Sequence, residues 1–303
     1  MIEITDSTIF WMIGIVGSSL GVFLNVWLLL VLAKKRRYPF SFLFACTASF
    51  DLLFSVTEVF TQHQIAIKNG VMFVLAHGIE WAIRPYYIAT LSVYILHCFV
   101  CMHALFILPA LYHYHYLFVK KQCRTPSKLI LIKNLAITTT VGLLVAVPAA
   151  IGVDEAIERG RKHYLAMFDD EWFQANAKNF LYASDIRDVG TMFFFGLDLT
   201  FTTLSIAFTS YYAFRARFLT IENEDEWMSE SATKIPFIRS QFTRMLMYRT
   251  INTWILALLP LALVVTAIIF RLDIEILGNG IIAPWSSLGL LNAVTTLIVL
   301  SRS

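Results

Sequence analysis

Seven long apolar stretches constrain this chain more than any other feature. They run over Ile9–Ala33, Ser41–Thr61, Tyr87–Leu111, Leu129–Ile151, Gly190–Phe214, Ile251–Phe270 and Ile281–Leu300. Each is near or above the ~20 residues with which a helix crosses ~30 Å of hydrocarbon. Lipid offers no partner to backbone N–H and C=O groups, so segments of this length must satisfy them internally, as helices. The second stretch carries two acids and is the least apolar, but its length still fits a span. Over the 303 residues, 58% are hydrophobic and only 15% charged, against about a quarter charged in soluble domains. The expected fold is an all-α membrane protein: one seven-transmembrane helix bundle over residues 1–303.

Charge sets the expected orientation. The leader MIEITDST holds Glu3 and Asp6 and no base, whereas KKRR at 34–37 follows the first stretch directly. A leader without bases and without a small-residue cleavage site does not read as a signal peptide. Positive residues stay on the cytoplasmic side, which puts the N-terminus outside and the C-terminus inside. In that arrangement fifteen of the 24 Lys and Arg lie on the inner side, Arg249 among them; eight lie on the outer side, and Lys133 falls inside the fourth stretch. Lys133, one turn in, is expected to snorkel to the surface. Of the four cysteines, Cys46, Cys98 and Cys101 fall in spans and Cys123 in an inner loop, so no outer disulfide is expected.

Two loops are long. Residues 152–189, outside, mix eight acids and five bases with Trp172, Phe173, Phe180 and Tyr182. They read as a solvated lid with a short helix or, alternatively, as a ligand-selecting surface. Residues 215–250, inside, hold ENEDEWMSE and then KIPFIRSQFTRMLMYR. There Ile238, Phe242, Met245 and Leu246 recur at helical spacing, which predicts a cytoplasmic extension of the sixth helix.

Ionisable groups within spans are costly, ~2.5–3.5 kcal/mol at the centre on insertion scales, and mark functional candidates. At 1.5 Å per residue, Asn25, Asp51 and Asn292 fall in one layer of helices one, two and seven. A carboxylate accepting from two amides is tolerable there. The layer serves either as glue between helices or as a bistable switch. Further out, Glu58, Tyr94, His97, Asp198, Trp285 and Ser286 fall at depths that let them line one outward-opening cavity; for Glu58 the alternative is a headgroup-level acid that meets water. Asp198 and Glu58 point to an amine-bearing ligand.

The segment LPALYHYHYLFVKK, residues 108–121, ends the third stretch. His113 and His115 stand two apart and diverge on a helix, so they make a poor metal pair. His97 and Cys101 have better spacing but no third ligand. Nucleic-acid binding is excluded because the segment abuts a span. It reads as an aromatic belt at the headgroup boundary or as a contact surface for a cytoplasmic partner. No metal, cofactor or catalytic residue is expected.

Taken together, these residues resemble rhodopsin-like seven-helix receptors, and more closely the nematode serpentine chemoreceptors of the Str type. GSSLGVFLNVWLLLVLAKK is similar to that family's first helix, with Gly21 and Asn25 in place, and SFDLLFS to its second, with Asp51 as the acid. In YHYLFVKK, Tyr114 and Tyr116 match a Tyr-Arg-Tyr triplet whose arginine is replaced by His115. IRSQFTRMLMYRT keeps Gln241 at the start of helix six. LLNAVTTLIVLSR keeps Asn292 and Arg302, with Ala293 in place of a proline.

The resemblance implies a chemosensory G-protein-coupled receptor in the plasma membrane of a sensory cilium. It would bind a small molecule and signal to a heterotrimeric G protein. Asn25, Asp51, Asn292 and Pro260 would form the switch, the proline breaking the ladder of helix six. Tyr114, His115, Tyr116, Lys121, Arg239, Gln241 and Arg244 would face the G protein. The competing readings are an odorant-gated cation channel, whose N-terminus would lie inside, and a small-solute transporter. The transporter would need paired acids at one depth.

Overall fold

The computed structural model describes residues 6–34, 41–68, 70–76, 107–120, 127, 129–144, 180–185, 187, 189–222, 235–273 and 283–301. Its helices are α1 (Asp6–Lys34), α2 (Ser41–Thr61), α3 (107–120), α4 (Leu129–Leu144), α5 (Val189–Glu222), α6 (Ile235–Thr253), α7 (Leu259–Ile269) and α8 (Leu288–Ser301). A π-helical turn, Trp254–Leu258, joins α6 to α7 without a break. The expected sixth span and its extension are therefore one rod. Among the described residues, Met12–Lys34, Ser41–Thr61 and Ser240–Ile269 are long and apolar enough to cross a membrane; Leu129–Leu144 and Leu288–Ser301 are shorter apolar helices.

Two element ends differ from the sequence reading. Helix α3 runs on to residue 120, past Leu111, and α5 runs on to Glu222, past Phe214. Helix formation follows backbone satisfaction and packing as well as apolarity, so both helices run on past their apolar cores.

The all-α expectation needs one amendment. Strands β1 (His63–Lys68), β2 (Val71–Ala76) and β3 (Phe180–Asp185) form an antiparallel sheet in the order β1-β2-β3. β3 lies in the loop expected to carry a short helix; the remainder of that loop, 152–179, is outside the described residues. The register Lys68↔Val71 leaves a two-residue turn, and Gly70 has φ +78°, a backbone region that glycine enters without steric cost. Asn-Gly between the alternating HQIAIK and the apolar VMFVLA is a strong hairpin signal in the sequence.

The sheet sits where α2 ends and α5 begins; call this the sheet end, and its opposite the Lys34 end. Glycines on α1 and α8 permit close packing. A Cβ on Gly21 would meet Ser55 Oγ at 2.7 Å and the Leu290 backbone N at 3.2 Å, and one on Gly289 would meet the Asp51 carbonyl at 3.0 Å. The main core lies toward the Lys34 end. Leu28 and Leu32 (α1), Phe44 and Ala48 (α2), Leu111 and Tyr112 (α3), Phe242, Met245 and Leu246 (α6) and Leu300 (α8) interlock there. Meanwhile Met12, Val16, Leu20, Phe23, Trp27 and Leu30 of α1 face outward, as do Leu129 and Ile132 of α4. An exposed apolar band of this extent suits a lipid surround.

Candidate functional site

The buried stripe of α6 explains the centre of the site. Phe242, Met245 and Leu246 repeat at helical spacing, and the next position on that stripe is Arg249. It is 2% exposed, whereas Arg244, off the stripe, faces outward. This corrects the placement of Arg249 among the inner-loop bases. The next apolar stretch begins only at Ile251, so sequence puts this arginine at the edge of a span. The continuous helix carries it into the bundle.

What it meets there is Asp51. Arg249 Nη2 donates to Asp51 Oδ2 at 2.6 Å, and Asn292 Nδ2 donates to Oδ1 at 3.2 Å. Arg249 Nη1 reaches Thr296 Oγ1 at 3.4 Å, and Asn252 Nδ2 lies 3.4 Å from Asn292 Oδ1 and 3.3 Å from Thr295 Oγ1. One polar layer thus ties α2, α6 and α8. In so dry a place neither charge is tolerable alone; paired and hydrogen-bonded, both are.

Three of the four expected switch residues share this region, though not as one cluster of side chains. Asn25 does not bond to Asp51. Its Nδ2 donates to the carbonyls of Gly21 (2.8 Å) and Gly289 (3.1 Å), stitching α1 to α8 beside the ion pair. The fourth, Pro260, is buried at the start of α7. The irregularity lies one turn before it: Leu259 N–H bonds to the Trp254 carbonyl, five residues back. Proline has no N–H to give the preceding turn and crowds its carbonyls, and a π-turn is a usual accommodation.

Two turns along α2 toward the sheet end, Glu58 is 5% exposed and Ser286 Oγ donates to its Oε2 at 3.1 Å. Trp285 packs against Phe54 with ring centroids 6.5 Å apart, joined by Leu256 and Leu288. Glu58, Trp285 and Ser286 therefore come together, and Glu58 is buried against Ser286 instead of meeting water. Asp198 lies on α5, described here by backbone position alone. Tyr94 and His97 lie outside the described residues.

At the Lys34 end the aromatic segment packs partly into the bundle. Tyr112 and His115 are each 1% exposed. Tyr112 OH donates to the Leu246 carbonyl at 3.0 Å, and His115 Nε2 shares a 3.0 Å hydrogen bond with Thr243 Oγ1 while its ring edges against Phe242. His113 diverges as expected, bonding Asn134 of α4 at 2.9 Å and stacking on Tyr212. Tyr116 is half-buried beside Tyr212 with Lys120 over its ring, and Tyr114 and Gln241 are also half-buried. Arg239 is placed on α6 by its backbone only, and Lys121 is outside the described residues.

The sequence also missed two ties of the sixth rod. These are Tyr112, which holds it to α3, and Trp254, whose Nε1 donates to Ser210 Oγ of α5 at 2.8 Å. Neither bears a charge within a span, the signal by which the others stood out.

The profile of the family described as serpentine type 7TM GPCR chemoreceptor Str matches residues 7–301. Among solved structures, squid rhodopsin superposes with a TM-score of 0.62 at 10% sequence identity, covering 98% of this chain and 85% of that one; the likeness is one of fold. No curated protein matches the sequence. A profile match over nearly the whole length, on a bundle of rhodopsin-like fold, makes this chain a member of the Str family of serpentine seven-transmembrane G-protein-coupled chemoreceptors.

Proposed function

We propose that this protein is a chemosensory receptor whose N-terminus and sheet end lie outside the cell and whose Lys34 end lies in the cytosol. A small molecule enters from the sheet end and binds among Glu58, Tyr94, His97, Asp198, Trp285 and Ser286. A buried carboxylate beside an indole suits a ligand bearing an amine. Binding favours one arrangement of the bundle and shifts its population. The polar layer of Asp51, Asn25 and Asn292, with the π-turn before Pro260, converts that shift into movement of α6. The movement uncovers a surface of Tyr114, His115, Tyr116, Lys121, Arg239, Gln241 and Arg244 for a heterotrimeric G protein. A sensory cilium is the fitting location.

The observation that carries this reading is the Str match across residues 7–301. The test is expression in reporter cells, screened with small volatile and water-soluble molecules, amines first. A response abolished by Asp198→Asn at unchanged surface expression supports the pocket. A response untouched by both Asp198→Asn and Glu58→Gln removes it. Protease protection that places residues 108–121 outside the cell removes the signalling scheme as a whole.

A further inference from the structure

We infer that the Asp51–Arg249 ion pair is a latch that holds α6 in the arrangement described here, and that α6 moves only when the pair separates. The inference rests on the receptor reading for its biological meaning, but not for its geometry.

Arg249 sits one turn before the π-turn Trp254–Leu258, and Pro260 follows directly. Kinks in helices gather at such places, so α6 is a lever hinged at its junction with α7. Arg249 lies about 7.5 Å along the axis from the hinge at 1.5 Å per residue. Even a kink change of about 20° carries it about 2–3 Å, enough to break a hydrogen bond that begins at 2.6 Å. Among the described residues, the lever's other ties include hydrogen bonds between uncharged groups: Tyr112 to the Leu246 carbonyl, Trp254 to Ser210 and Asn252 to Asn292.

The Asp51–Arg249 contact, unlike these, leaves full charges behind when it parts. The Arg249 guanidinium already has an Nε without a hydrogen-bond partner among the described residues, and its contact with Thr296 Oγ1 supplies no countercharge that could replace Asp51. Intermediate positions of α6 are therefore disfavoured, and the lever has two states rather than a continuum. Asn292 and Thr296 hold the two partners from α8, which makes any shift of α8 a means of loosening the latch.

The test uses the full-length protein in lipid nanodiscs, with Tyr248, exposed on α6, replaced by trifluoromethyl-phenylalanine and read by fluorine NMR. Asp51→Asn and Arg249→Met each strand a charge and lose stability. The double variant Asp51→Asn/Arg249→Met strands none, so it folds near native stability yet lacks the latch. The expected result is a second resonance whose population in the double variant exceeds the native value by about tenfold or more. A double variant that regains both native stability and the native spectrum overturns the latch, because the pair would then be packing only. G-protein activation is measured on the same samples. A shifted resonance without signalling keeps the latch and removes the receptor reading; an unshifted one removes the latch whatever the signalling.

Discussion

Asp51 and Glu58 lie two turns apart on one helix, both buried, and their neighbourhoods differ in kind. Asp51 is met by a guanidinium and an amide from two other helices. Glu58 is met by the hydroxyl of Ser286, whose neighbour Trp285 packs in a cluster with Phe54, Leu256 and Leu288. The first neighbourhood stabilises a charge by cross-linking the bundle. The second holds a buried carboxyl by a hydroxyl from the segment that also carries Trp285, where the proposed ligand site would lie. The difference teaches that burial alone does not assign a role to an intramembrane acid; the partner does.

This contrast can be broken most directly at Asp51. Asp51→Asn leaves a guanidinium that cannot deprotonate, and is expected to cost about 3–5 kcal/mol, read as a large fall in the melting temperature of the purified receptor. Arg249→Met should cost less, because the stranded acid escapes by taking up a proton. If Arg249→Met proves the more damaging of the two, the pair is not held together by charge. Next comes packing: Gly289→Ala drives a methyl against Ser55 and the Asp51 carbonyl and is expected to cost about 1–3 kcal/mol. Gly196→Ala, with nothing within 4 Å, should stabilise by about 0.5–1 kcal/mol. At the second acid, Ser286→Ala removes a donor to a buried carboxyl and should cost about 1–3 kcal/mol. The smallest effect is expected of Glu58→Gln, which keeps an acceptor for Ser286; a stability change under about 1 kcal/mol, measured beside a lost ligand response, would mark Glu58 as recognition rather than scaffold.

Much of the site was legible because charge in an apolar stretch stands out. Asp51 and Glu58 were visible that way, and depth along helices one, two and seven grouped Asp51 with the amides Asn25 and Asn292. Tyr112, Trp254 and Ser210 were not, since their polar tips are ordinary in apolar helices and only their partners make them ties. Arg249 shows where sequence reading divides. Sequence reading set it among the arginines that flank the stripe of Phe242, Met245 and Leu246, beside the expected membrane edge, whereas the continuous helix puts it on the stripe and inside the bundle.

The sequence by itself determined the membrane class, the number of apolar stretches and the Str resemblance. These follow from length, hydropathy and local order along the chain, which need no knowledge of neighbours. Tertiary structure decided which cation Asp51 meets, that Asn25 bonds to Gly289 instead, and that β3 joins the hairpin after α2. Each of those contacts joins segments far apart in the chain, and their geometry depends on how closely whole helices approach. No window of local sequence encodes that distance.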